Sequence, residues 1–267
     1  MKIKIYGCRG TIASAKTSKT RFGNNTSCVV VHDGEQYLVL DAGSGLASFA
    51  AENKEAALSA NILISHLHLD HIIGLTYFAP AWNPKCTANI YTCDRSGGTL
   101  KEQVFGSFKP PYWPVSIGES TYIDCAPIEL DKTINIGNFA VTPFLAQHPD
   151  LTSSFHIKNG KKSIVYLLDS EQSAMEAKAY AALVEYCRDV DLVIFDAAYT
   201  PEDYPKFRSW GHSTVEDAVK LHKDSNCKQI LLTHFDPTYS DEKIVGMLEF
   251  KGAENFILAK EGMEIEL

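Results

Sequence analysis

The run His66-Leu67-His68-Leu69-Asp70-His71 most constrains this chain, because four metal-binding side chains fall within six residues at the end of the apolar stretch Asn61-Ile62-Leu63-Ile64-Ser65. One residue separates the first two histidines, so in extended or loop backbone both point to the same side. Asp70 and His71 are read as opening a helix. The bend lets four donors diverge toward two neighbouring metals, which one regular strand or helix could not do. Neutral imidazoles with a carboxylate form a borderline N/O set suited to Zn²⁺, and Mn²⁺ or Fe²⁺ also fit it. The expected cofactors are two divalent metal ions, zinc first.

Four other apolar runs end in the same way: YLVLD at Asp41, IVYLLD at Asp169, LVIFD at Asp196 and ILLTH at His234. A core strand has no reason to finish repeatedly in Asp or His, whereas ligands at strand ends are held by rigid elements while facing an open cleft. Asp41 and Asp196 are read as carboxylates that orient a ligating imidazole through its second nitrogen.

These runs belong to an alternation of strands and helices. Strands are expected at Lys2–Tyr6, Ser27–His32, Gln36–Leu40 and Asn61–Ser65, with helices over Gly45–Ala60 and from Leu69 to Phe78. The second half repeats the rhythm: strands at Phe139–Leu145, Ser154–Lys158 and Ser163–Leu168, a helix near Ala174–Arg188, strand Leu192–Phe195, helix Val215–His222 and strand Gln229–Thr233. Asp33-Gly34 and Asn159-Gly160 read as hairpin turns, and Pro143 suggests an edge strand. Gly97 to Gly118 breaks the rhythm with glycines, prolines and the aromatics Phe105, Phe108, Tyr112 and Trp113. It is read either as a substrate cover, whose aromatics stack a base, or as a packed connector. A length of 267 residues with 45% hydrophobic content suits one α/β domain over 1–267.

The order HLHLDH, then His148, Asp169 and His234, resembles the metallo-β-lactamase superfamily, and the resemblance covers nearly the whole chain. It implies a four-layer αβ/βα sandwich with the site along one edge. It also implies that His66, His68 and His148 hold one metal, that Asp70, His71 and His234 hold the other, and that Asp169 bridges them. WGHST (Trp210–Thr214) followed by LLTHFDP (Leu231–Pro237) is similar to the phosphodiesterase side of that superfamily. GCRGT with GNNTSCVVV (Gly23–Val31) looks most like its cyclic-nucleotide phosphodiesterase-like members, and the family arrangement would bring Asn25 and Thr26 toward substrate. The transfer-RNA 3′-end nucleases of the superfamily usually carry an Arg-Tyr pair after the last histidine and a basic arm. Here HFDPTY puts Thr238 at the arginine position, and no arm is evident.

The reaction expected is hydrolysis of a small cyclic phosphodiester, a cyclic nucleotide first. Two divalent cations would lower the pKa of a shared water and neutralise phosphoryl oxygens. Asp70 and His212 are read as catalytic, with His212 as proton donor to the leaving oxygen. Ser213-Thr214-Val215-Glu216 is read as a capping box that fixes His212 before a helix N-terminus, where a phosphate is favoured. Tyr112 and Trp113, with Asn25 and Thr26, complete the expected substrate contacts. The alternatives are transfer-RNA 3′-end processing and a noncatalytic metal or nucleotide sensor on the same fold.

A formal net charge of −8 argues against a nonspecific nucleic-acid coat. No stretch approaches a signal peptide or membrane span, so a cytoplasmic protein without membrane contact is expected. The seven cysteines contain no CxxC pair and are read mostly as small buried hydrophobes. The resemblance leaves room for a homodimer, an assembly frequent in that superfamily.

Overall fold

A computed structural model describes residues 1–14, 20–53, 58–78, 82–95, 97–250 and 252–267. Two mixed sheets of seven strands face each other. In the first, β1 (Lys2–Gly7), β2 (Cys28–Asp33) and β3 (Gln36–Leu40) run antiparallel to their neighbours, then β3, β4 (Ser59–Leu63), β5 (Thr87–Cys93) and β6 (Ile123–Ile128) run parallel. The second has the same plan. β7 (Ile134–Ile136), β8 (Phe139–Leu145), β9 (Ser153–Asn159) and β10 (Lys162–Leu167) pair antiparallel, and β10, β11 (Leu192–Asp196), β12 (Ile230–Thr233) and β13 (Phe256–Leu258) pair parallel. β14 (Glu264–Glu266) closes the outer edge of the first sheet against β1.

Side-chain alternation along the strands decides the layering. Ile3, Ile5, Val29, Val31, Leu38 and Leu40 join the core shared with Val141, Phe155 and Ile157 of the second sheet. Their strand neighbours Val30 and Val39 turn to the other face, where Ala60, Ile62 and the α1 (Leu46–Glu52) residues Leu46 and Phe49 enclose a second cluster. On the far side α4 (Ala177–Tyr186) and α5 (Val215–Ser225) bury Leu183, Ala218 and Leu221 against the second sheet. The result is an αβ/βα sandwich.

Both expected hairpins form, with two-residue loops at Gly34-Glu35 and Gly160-Lys161. Other expectations need correction. The helix expected over Gly45–Ala60 ends at Glu52, and Ser59 already belongs to β4; residues 54–57 of that span lie outside the described residues. The helix expected from Leu69 to Phe78 is one α turn, α2 (Leu69–Ile72), continued as 3₁₀ helix over Ile73–Tyr77. Pro143 is not on an edge strand, since β7 lies outside β8. β7 pairs only with Phe139–Val141, however, so the proline stands past its reach and breaks no ladder bond.

Part of the 97–118 segment packs, while residues 109–112, 114 and 115 are exposed. Thr99 and Glu102 form a capping box on α3 (Leu100–Phe105), and Phe105 and Phe108 are buried in the cluster that contains Phe49 and Ile62. Among the described residues the cysteines form no disulfide, and six of the seven are buried. No described helix is long and apolar enough to cross a membrane.

Candidate metal centre

The carboxyl ends of β3, β4, β10, β11 and β12 lie along one edge of the sandwich, where open α/β sheets present ligand sites. Asp41 follows β3, His66 lies three residues beyond β4, Asp169 two beyond β10, Asp196 ends β11 and His234 follows β12. His148 comes from the β8–β9 loop at the same edge. Asp41, Asp169 and His234 have φ values of 58, 48 and 63°. A non-glycine residue in this left-handed region costs roughly 1 kcal/mol or more. The chain thus makes the same strained turn at three strand ends to aim a polar side chain inward.

The donors fall into three overlapping groups, Asp70, His71 and His234, then His66, His68, His148 and Asp169, then Asp169, Asp196, His212 and His234, and Asp169 stands between the first two. Oδ1 of Asp169 is 3.1 Å from His71 Nε2 and 3.2 Å from His234 Nε2, and Asp70 Oδ2 is 3.2 and 3.4 Å from the same two nitrogens. Asp169 turns its other oxygen to the second group, 3.6 Å from His66 Nε2 and 3.7 Å from His148 Nε2. His68 completes this group, with the four ligand atoms of His66, His68, His148 and Asp169 within 4.8 Å of one another.

Three observations show that these residues suit metal ions. His66 Nε2, His71 Nε2, His234 Nε2 and Asp169 Oδ1 are buried with no hydrogen-bond partner, a costly condition unless something accepts their lone pairs. Their separations also fit, since tetrahedral donors at about 2.0–2.1 Å from zinc stand about 3.3 Å apart. In addition, Asp41, Asp70, Asp169 and Asp196 are all buried, and two divalent cations would balance four carboxylates.

The outer hydrogen bonds aim the imidazoles. Asp41 Oδ2 is 2.7 Å from His71 Nδ1 and accepts from Ser65 Oγ at 2.9 Å and Tyr166 Oη at 2.9 Å, which turns His71 Nε2 toward the donors. Ser65 Oγ is also 3.1 Å from His66 Nδ1, and Thr152 Oγ1 lies 2.9 Å from His148 Nδ1. The backbone N–H of Thr11 donates to Asp70 Oδ2 at 2.8 Å. Burial would raise the Asp169 carboxyl, but His234, His71 and His66 hold it well below the usual carboxylate range. Burial would lower His71, yet Asp169, Asp70 and Asp41 raise it well above the ordinary imidazole value.

His212 stands beside the first two groups. Its Nδ1 is 2.8 Å from Asp196 Oδ2 and 3.9 Å from Asp169 Oδ2. Burial would lower its pKa, and the Asp196 and Asp169 carboxylates outweigh that and raise it to about 9. The capping box after it is shifted by one residue from the expected Ser213/Glu216 pair. Thr214 caps α5 and exchanges hydrogen bonds with Asp217, while Ser213 Oγ donates to the Ser170 carbonyl. Ser213 is thereby spent on fixing the Asp169 turn.

A pocket of about 270 Å³ opens onto these donors, lined by Thr11, His68, Asp70, His148, Asp169, Trp210 and His212. The four expected substrate contacts do not line it. Thr26 is buried and pairs with Ser44 through its N–H and its Oγ1, and Asn25 Oδ1 accepts from Ser44 Oγ at 3.0 Å. Both therefore tie the β1–β2 region to the turn after Asp41. Trp113 packs on the cluster around Phe49, and Tyr112 is exposed outside the pocket.

Several residues that matter here carry no signal of their own in the sequence. Glu171, two beyond Asp169, is buried and accepts from Tyr204 Oη at 2.7 Å, Ser209 N at 2.8 Å and Gly211 N at 3.0 Å. Gly211 has φ 93°, and a Cβ there would sit 2.0 Å from His148 Cδ2. Gly211→Ala is therefore expected to push His148 off its position and destabilise the protein by about 1–3 kcal/mol. Thermal denaturation and metal analysis of the dialysed variant check this; wild-type stability with full metal content would show that the loop yields freely.

Residues 36–235 match the sequence family described as the beta-lactamase superfamily domain. Among curated relatives, a protein named ribonuclease Z from Haloarcula marismortui is 18% identical over 305 residues, covering 99% of this chain and 96% of its own. Among solved structures, the metallo-beta-lactamase fold protein YhfI from Bacillus subtilis aligns with a TM-score of 0.73 at 19% identity, covering 99% of this chain and 98% of that one. A structure titled as a new diphosphatase from the PhnP family aligns with a TM-score of 0.74 at 15% identity over 100% and 97% of the two chains. At these identities the structural likeness is one of fold.

Proposed function

Because the chain belongs to the beta-lactamase superfamily, we propose that it is a two-metal phosphodiesterase acting on a small cyclic phosphodiester, with a cyclic nucleotide as the leading candidate. His66, His68, His148 and Asp169 would hold one ion, and Asp70, His71, His234 and Asp169 the other, Zn²⁺ being the ion that best suits these donors and Mn²⁺ or Fe²⁺ also fitting. When bound, such ions activate water near neutral pH and neutralise phosphoryl charge.

The observation that carries the reading is His212, held by Asp196 at the wall of the same pocket. A diester's leaving alkoxide is a poor leaving group until it is protonated. With Nδ1–H donated to Asp196, the His212 Nε2–H is free to deliver that proton, and the Asp196 and Asp169 carboxylates favour the protonated ring. A carboxylate–imidazole pair beside a metal site suits a substrate whose departing oxygen needs an acid. Asp41 performs the matching task for His71 by fixing its tautomer.

Transfer-RNA 3′ processing is a second reading, favoured by the relative named ribonuclease Z. It is weaker here because the net charge is −8 and Thr238, at the position where those nucleases carry arginine, donates its N–H to the Asp236 side chain at 2.8 Å as a local turn. The test is a panel of 3′,5′-cyclic nucleotides, 2′,3′-cyclic phosphates, a chromogenic diester and precursor transfer RNA, run with Zn²⁺, Mn²⁺ and Fe²⁺. Turnover of cyclic diesters is expected, and processing of the RNA alone would overturn the ranking.

A further inference from the structure

Among the described residues Trp210 is the one large aromatic side chain, histidines aside, that lines the pocket, and it is 57% exposed. An indole left open to water is costly, and here it is held open. Ser209 on one side has φ 68° and Gly211 on the other has φ 93°, so the chain is in the left-handed region on both flanks. The same two residues donate their N–H groups to the buried Glu171 carboxylate. The ring is braced from beneath: Phe207 meets it edge-on with centroids 5.3 Å apart, Tyr199 stacks on Phe207 at 4.4 Å, and Tyr199 meets His212 at 5.7 Å. Backbone strain, a buried carboxylate clamp and an aromatic column thus fix one exposed indole at the mouth of the metal pocket. A platform fixed in advance loses little entropy when something flat binds it.

Charge narrows what that is. Among the described residues that line the pocket, none is Lys or Arg. A substrate with a single phosphate would be neutralised by the proposed ions, whereas further phosphates would find no cation among the described residues of the wall. We infer that Trp210 is the surface on which the substrate's base stacks, so that the site takes a diester with one phosphate and one flat aromatic substituent. The inference rests on the phosphodiesterase reading above and adds the residue that selects the substrate's organic part. Trp210 acts on binding and leaves the proton transfer to His212.

The test compares wild type, Trp210→Ala and Trp210→Phe, all metal-loaded, on 3′,5′-cyclic AMP and on the corresponding ribose cyclic phosphate without a base. Base–aromatic stacking of ordinary strength predicts a KM for cyclic AMP raised on the order of tenfold in Trp210→Ala, with kcat little changed and the abasic substrate unaffected. Trp210→Phe should recover most of the loss. Equal losses on both substrates would overturn the inference and leave the reaction class standing. A second measurement does not need turnover. In a Trp82→Phe/Trp113→Phe background Trp210 is the sole tryptophan, and its fluorescence should be quenched by 5′-AMP and not by ribose 5-phosphate. Quenching by 5′-AMP without hydrolysis of any diester would support the platform while sinking the reaction; hydrolysis with no selective quenching would do the reverse.

Discussion

Asp169→Asn is expected to retain about one metal ion or none after dialysis, where the wild type should hold about two. The reason lies in how the carboxylate is turned. One oxygen faces His71 and His234, the other faces His66 and His148, and among the described residues no other side chain reaches both groups through opposite atoms. Asparagine fills the same volume but replaces one acceptor with an NH₂ group directed at imidazole nitrogens that must stay bare to bind a metal. It also removes one negative charge from a cluster of four buried carboxylates. Elemental analysis alongside circular dichroism separates metal loss from unfolding. A folded variant that keeps both ions would refute the bridging role of Asp169.

His212→Ala should keep both ions and slow turnover by roughly 10²-fold or more, the usual cost of losing a positioned acid. Metal content is the informative control, since His212 also lies within reach of Asp169, Asp196 and His234 as part of a third donor cluster. Loss of an ion would make His212 a ligand, and an unchanged rate would remove it from the chemistry. Asp196→Asn should move the rate in the same direction, because an amide cannot stabilise the charged ring that Asp196 faces at 2.8 Å.

The features legible from sequence were those with a short-range signature. Apolar runs that finish in Asp or His located Asp41, His66, Asp169, Asp196 and His234 at strand ends, because a rigid strand and a polar terminus are both written in adjacent residues. Glycine turns marked the two hairpins for the same reason. Long-range partners were harder to see. Alanine-rich composition extended the first helix to Ala60, while pairing of Ser59 and Ala60 with Thr87 and Ala88 claims its end for a strand. Aromatic density drew attention to Tyr112 and Trp113, but whether an aromatic packs or faces a pocket depends on what folds against it. Trp210 reaches the pocket only because Glu171, almost forty residues earlier in the chain, captures the N–H groups beside it. Thr214 rather than Ser213 caps α5 because the Ser213 hydroxyl is already committed to the Ser170 carbonyl.

The division of the donors between the two sheets bears on how the molecule holds together. His66, His68, Asp70 and His71 follow a strand of the first sheet, whereas His148, Asp169 and His234 follow strands of the second. Each proposed ion draws donors from both, so binding would suture the two halves along the edge where their apolar contact gives way to buried carboxylates. By linkage, free metal at a hundredfold excess over its dissociation constant adds about 2.7 kcal/mol to the folded state for each site. Chelation would then be a mechanical event as well as a chemical one: the seam between the sheets would loosen from the catalytic edge inward, and metal supply would govern the lifetime of the fold together with its activity.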